Sequence, residues 1–143
     1  MNTSLEPISL GATQTVTQAE SIVKKSGAVN GRITVDLLHF MRTGSTMTDI
    51  SALTPGIIGS VQICDGPARM DDPDRLIEEA ANERMVPGEG DFPLVEFLRN
   101  IPADISLGIE VPLRSRRESG MTALDRSRLV VSATRAVQSL ASK

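Results

Sequence analysis

The chain has 143 residues, 40% of them hydrophobic and 23% charged, with a net charge of -3, which is the profile of one soluble domain large enough for a real core. The acidic balance, with no Trp or Tyr and only three Phe, excludes the electrostatic footprint and the stacking surface of a nucleic-acid binder. The lone Cys64 suits a reducing cytoplasm, no apolar run approaches the roughly 20 residues of a membrane span, and Met1-Asn2-Thr3-Ser4 lacks the charged and apolar regions of a signal peptide.

In chain order, Thr3-Ser4-Leu5-Glu6 reads as a first strand. A helix is expected over Thr13 to Ser26, with Val16, Ala19, Ile22 and Val23 on its buried stripe. Thr17 and Glu20 stand at capping-box spacing and Gly27 is a suitable stop. Asn30-Gly31 turns into a second strand, Ile33 to Asp36. A short helix follows near Thr48 to Leu53, and Pro55-Gly56 opens the third strand, Ile57 to Asp65. A long polar stretch holds a helix over Pro73 to Glu83 and the loop Pro87-Gly88-Glu89-Gly90, whose glycines imply a fixed, unusual backbone. Pro93 suits the first turn of a helix running to Asn100. The fourth strand is Ile105 to Glu110. A last helix spans about Met121 to Leu140, with Leu124, Val131, Val137 and Leu140 as buried candidates.

Such alternation implies an α/β fold with about four parallel strands joined by right-handed crossovers. Parallel strands all point one way, so groups at their C-terminal ends converge on one face. Glu6, Asp36, Gln62 and Glu110 each close one strand. Three carboxylates and an amide oxygen meeting there would form an oxygen-rich site for a hard divalent cation.

Leu5-Glu6-Pro7, Val35-Asp36-Leu37-Leu38-His39-Phe40, Val61-Gln62-Ile63-Cys64-Asp65, Arg84-Met85-Val86-Pro87-Gly88-Glu89-Gly90-Asp91 and Ile109-Glu110-Val111-Pro112 together carry a family resemblance. In order and spacing they resemble the sugar phosphate isomerase/epimerase family. These are the xylose isomerase-like TIM barrels, a superfamily that also includes the endonuclease IV group. The resemblance covers nearly the whole chain. It implies that residues 1–143 form a single partial domain, the C-terminal half of a (β/α)8 barrel whose usual length is about 250 residues. Such a half is either a fragment of a longer barrel or one member of a homodimer of half-barrels, because four parallel strands alone leave two open edges and an apolar face.

The resemblance also implies roles. Glu6, Asp36 and Glu110 match metal ligands, and Glu6 and Glu110 would be the acid/base pair flanking the substrate carbon. The metal would polarise a carbonyl and stabilise the enediolate formed when a base removes the neighbouring proton. Gln62 stands where many members have a metal-binding His, which favours Mn or Mg over Zn; the alternative is a Gln that only hydrogen-bonds substrate or a neighbour. His39 matches a histidine that contacts substrate oxygens rather than the metal. As the only histidine, it excludes a tri-imidazole zinc site and disfavours the trinuclear zinc centre of the endonuclease IV branch.

Arg42, Arg84 and Arg114 lie near strand ends and would hold a carboxylate, phosphate or hydroxyl of the substrate, although Arg114 reads equally as a surface arginine. Asp65 is placed to orient a ligand or to bind metal through an outer shell. Glu89 is expected to pin its loop, and Cys64 to be a small core hydrophobe. The implied activity is isomerisation or epimerisation of a small sugar, sugar phosphate or polyol-derived ketone. The alternatives are a dehydratase of the same superfamily and a non-catalytic half-barrel that serves as an assembly subunit.

Overall fold

In the computed structural model, which describes residues 1–70 and 72–142, the four expected strands form one sheet. They are β1 (Thr3–Leu5), β2 (Gly31–Asp36), β3 (Ile58–Ile63) and β4 (Ser106–Ile109), and their spatial order is their chain order. β1 pairs with β2 and β2 with β3, both in parallel. Adjacent parallel neighbours in sequential order are what β-α repetition produces.

The chain folds as two compact units. The first comprises Met1–Gln62 and Asn100–Gly108; the second takes up the chain from Ile63 to Arg99 and again from Ile109 onward.

In the first unit, side-chain alternation along the strands separates two faces. Ile33, Val35 and Val61 are fully buried and form the apolar side. The other side of the same strands carries Ser4, Thr34, Asp36, Ser60 and Gln62. A parallel sheet is normally apolar on both faces, so this polar face marks where function is to be sought.

Helix α1 (Val16–Ser26) buries Val16, Ala19 and Val23. Ile22, expected on the same stripe, is exposed. The capping box is Thr15 with Gln18, not Thr17 with Glu20, because the helix starts at Val16 and Thr17 is already inside it. Gly27 ends it in the left-handed conformation with φ 67° and its N–H on the Lys24 carbonyl.

Glu20 is instead used in tertiary structure. Its Oε1 accepts the Thr54 backbone N–H at 2.7 Å and pairs with Lys24 at 3.1 Å. Burial alone would raise its pKa, but the hydrogen bonds from Thr54 and the Lys24 charge outweigh that and lower it below the ordinary carboxylate range. A depressed folded-state pKa contributes stability at neutral pH that is lost as pH falls through the folded value. Glu20→Gln should therefore lower the urea midpoint at pH 7, and the gap to wild type should close on acidification below the normal carboxylate range. A gap independent of pH would disprove this account.

Two short helices are absent from the periodicity of the sequence. α2 (Leu37–Arg42) follows β2 without a break, and α6 (Arg114–Glu118) follows Leu113. Each spans five or six residues, too few to show a 3.6-residue pattern. α3 (Met47–Ser51) completes the first unit's helices.

The second unit holds α4 (Pro73–Asn82), α5 (Leu94–Arg99), α6 and α7 (Ala123–Ala141). Its core includes Val86, Phe92, Leu94, Phe97, Leu113 and Val137, with Cys64 fully buried as a small hydrophobe. α7 packs on α5 and α6. Its inward positions centre on Thr134 and Val137, while Leu124 and Leu140 are exposed and Val131 is half-buried. Of the expected stripe, Val137 is buried as expected while Leu124 and Leu140 are not, since exposed leucines blur the helical phase that hydrophobicity alone would give.

Candidate metal site

The polar face of the first unit is built in two layers. Ser4 Oγ lies 2.7 Å from Thr34 Oγ1, which lies 2.9 Å from Ser60 Oγ. This hydroxyl row crosses three strands. Two residues further along the same strands come Glu6, Asp36 and Gln62, one strand period on. Asp36 and Gln62 are register partners, as are Thr34 and Ser60.

Asp36 ends β2 and caps α2. Its Oδ1 accepts the backbone N–H of Leu38 at 2.8 Å and of His39 at 3.3 Å. The cap turns the chain so that His39 falls in the first turn of α2. Both side chains are buried, Asp36 at 1% and His39 at 5% exposure. One donor atom each from Glu6, Asp36 and His39 lie within 4.8 Å of one another. Ser9 Oγ lies 3.0 Å from His39 Nδ1 and orients the ring.

Oxygen, oxygen and imidazole nitrogen make a donor set suited to a divalent metal. A further observation concerns Gln62: its Oε1 is buried and has no hydrogen-bond partner among the described residues. An orphaned carbonyl oxygen costs about 1–3 kcal/mol, and a cation is a natural partner for it. The residues present thus fit a divalent ion. His39, expected as a substrate contact, also has a ring nitrogen that stands with the two carboxylates. Arg42, also in the first unit, ends α2 and is half-buried.

The other site residues belong to the second unit. The Arg84 guanidinium is almost fully buried. It donates from Nη2 to Glu110 Oε1 at 3.3 Å and from Nη1 to the Glu110 carbonyl at 3.4 Å, with Nε on the Ala80 carbonyl at 3.2 Å. Arg84 thereby fixes the Glu110 carboxylate, a role that the expected substrate contact does not include. Arg114 is bound to Glu78, with Nη1 to Oε2 at 3.2 Å, and reaches Glu118 at 3.8 Å. Glu89 is held by Arg116 Nη2 at 2.7 and 2.6 Å, which pins its loop.

Asp65, expected near the metal's outer shell, has other work. It is fully buried and accepts four backbone N–H groups: Gly66 and Phe92 on Oδ1, Gly88 and Gly90 on Oδ2, at 2.8–3.1 Å. Its carboxylate is the clasp of the Pro87-Gly88-Glu89-Gly90 loop. Sequence reasoning misses both this clasp and the hydroxyl row. The row has a readable signal, a Ser or Thr two residues before each of three strand-end ligands.

Fold and donor set define a class: the fold is half of a xylose isomerase-like TIM barrel. Among solved structures, a xylose isomerase domain protein from Alicyclobacillus acidocaldarius is 25% identical with a TM-score of 0.75, covering 100% of this chain and 52% of its own. The IolI protein, solved with a bound zinc atom, is 20% identical with a TM-score of 0.76, over 96% of this chain and 49% of its own. A D-psicose 3-epimerase solved in the presence of D-fructose is 16% identical with a TM-score of 0.71, over 100% and 50%. The chain thus spans about half the length of these solved structures. No protein-family model and no curated protein matches the sequence.

Proposed function

We propose that this chain provides a divalent-metal site for isomerisation or epimerisation of a small sugar, sugar phosphate or polyol-derived ketone. The observation that carries the reading is the cluster of Glu6, Asp36 and His39, whose donor atoms lie within 4.8 Å of one another. The similar folds of a D-psicose 3-epimerase and an L-ribulose 3-epimerase support the carbohydrate class.

Glu6, Asp36 and His39 would hold the ion, with Gln62 Oε1 and Glu110 as further oxygen donors. Mn is the first choice of metal, since carboxylate and amide oxygens outnumber the single imidazole; zinc, present in the IolI structure, is the second. Bound there, the ion supplies Lewis-acid polarisation of a substrate carbonyl. Glu6 and Glu110 would serve as base and acid, one taking the proton beside the carbonyl and the other, itself protonated, giving its own proton to the adjacent carbon or opposite face. Arg84 keeps the Glu110 carboxylate in one rotamer for this transfer. Arg42 and Arg114 would contact substrate oxygens. Two copies of the chain would supply the eight strands of a full barrel.

The test is deuterium wash-in from heavy water into a panel of ketoses with Mn present, alongside light scattering of the same sample. Exchange by a dimer, lost at least a hundredfold in Glu6→Gln and in Glu110→Gln, is the expected result. Exchange that persists in both variants would remove the acid/base assignment. Absence of exchange with every ketose would favour the non-catalytic half-barrel. Elimination of a β-hydroxyl, read as loss of water from the substrate, would favour the dehydratase.

A further inference from the structure

The second unit contains a cavity of about 260 Å³ lined by Ala81 and Asn82 of α4, residues 111–113, Arg114 and Arg117 of α6, and Arg126 of α7. Among the described residues, three arginines and no acidic residue line it. We propose that this cavity, formed within the second unit, is a phosphate-binding site.

Arg126 is half-buried, and among the described residues its guanidinium makes one hydrogen bond, from Nη1 to the Met121 carbonyl. Among the described residues no carboxylate stands within ion-pair distance of it. A guanidinium withdrawn from water without a counter-charge is a costly arrangement that an anion relieves. Arg117 is nearly as underused: its contact is Glu118 at 4.0 Å, the outer limit of an ion pair. Arg114 is shared between Glu78 and Glu118. Neither of those glutamates is among the cavity's described lining residues.

The local charge also runs against the chain as a whole, whose net charge is -3. Five-donor planar forks arriving from two different helices suit a tetrahedral dianion better than a planar carboxylate, because each can take a different pair of oxygens. The Asn82 amide is occupied by Glu78 Oε2 at 3.0 Å and fixes one wall. The volume is several times the roughly 30 Å³ that one water occupies in the liquid, enough for a compact anion. The chemistry serves inorganic phosphate and the phosphoryl group of a sugar phosphate equally.

Titration of the full chain with inorganic phosphate, in metal-free buffer at low ionic strength and followed by calorimetry, should show one saturable site. Arg126→Gln should weaken it at least tenfold and Arg117→Gln several-fold. Arg128→Gln should leave it unchanged, since Arg128 is exposed and pairs with Asp125. Sulfate should compete and acetate should not. Arg117 is exposed with no buried contact, so its variant keeps the test valid if Arg126→Gln fails to fold. A phosphorylated ketose binding more tightly than phosphate would identify a sugar phosphate as the natural source, and equal binding would identify free phosphate. No saturable binding, or equal loss in the Arg126 and Arg128 variants, would overturn the proposal.

Discussion

Asp65→Ala should destabilise the second unit by about 3–5 kcal/mol, the range for removing one member of a buried charged network. Four backbone N–H groups converge on this one side chain. Removing the carboxylate leaves them facing a void, and bonds to a charged acceptor contribute about 1.5–3 kcal/mol each before any compensation. Asp65→Asn should recover little. An amide has one accepting oxygen, so its NH2 would face either the Gly66 and Phe92 donors or the Gly88 and Gly90 donors. The clasp also explains Gly90: a Cβ there would come within 2.5 Å of Asp65 Oδ1 and of the Gly66 carbonyl, so Gly90→Ala should displace the loop at a cost of about 1–3 kcal/mol. Urea unfolding measures the stabilities, and amide exchange at Gly88, Gly90 and Phe92 reads the clasp directly. An Asp65→Ala variant within about 0.5 kcal/mol of wild type, the range of a neutral surface change, would show that the loop is held by other means.

The sequence shows the fold more clearly than the site, and the reason lies in length scale. β2, β3 and β4 appear as short runs rich in Ile, Val and Leu, and the parallel order follows from the alternation of strands with helices. The strand-end polar residues are visible as interruptions of those runs. What escapes is anything decided by one hydrogen bond or by helical phase. α2 exists because Asp36 caps it, and six residues carry no periodic signal. That helix is also what brings His39 to Glu6 and Asp36, so without it His39 reads as a substrate contact alone. Asp65 lies in a segment with Gln62 and invites a metal reading by proximity in sequence. Its actual partners are 23–27 residues ahead at Gly88, Gly90 and Phe92, a distance no local pattern spans. In α7 the Leu124 and Leu140 positions mislead because long aliphatic side chains on a helix surface are common and carry no phase information by themselves.

The second large effect is expected at Asp36, where two duties can be separated. The side chain caps α2 through Oδ1 and belongs to the donor cluster. Asn caps a helix as well as Asp does, so Asp36→Asn preserves the turn that positions His39 while removing the negative charge. Its Mn affinity should fall by about 100-fold or more, at least the upper range seen for outer-shell changes, because a charged ligand is lost outright. In chelator, its urea midpoint should stay close to wild type. Asp36→Ala removes both duties and should add about 1 kcal/mol of destabilisation from the missing cap. Bound metal supplies an independent readout: at about 100 times its dissociation constant it should stabilise the wild-type chain by about 2.7 kcal/mol, and that increment should vanish in Asp36→Asn. Gln62→Glu works in the opposite direction. The Gln62 Oε1 has no hydrogen-bond partner among the described residues, so a carboxylate there would gain attraction only from a cation. Its apo form should be less stable than wild type and its metal-dependent stabilisation larger. If Asp36→Asn bound Mn as tightly as wild type, the cluster of Glu6, Asp36 and His39 would be a capped helix start with no metal to hold, and the isomerase reading would lose its centre.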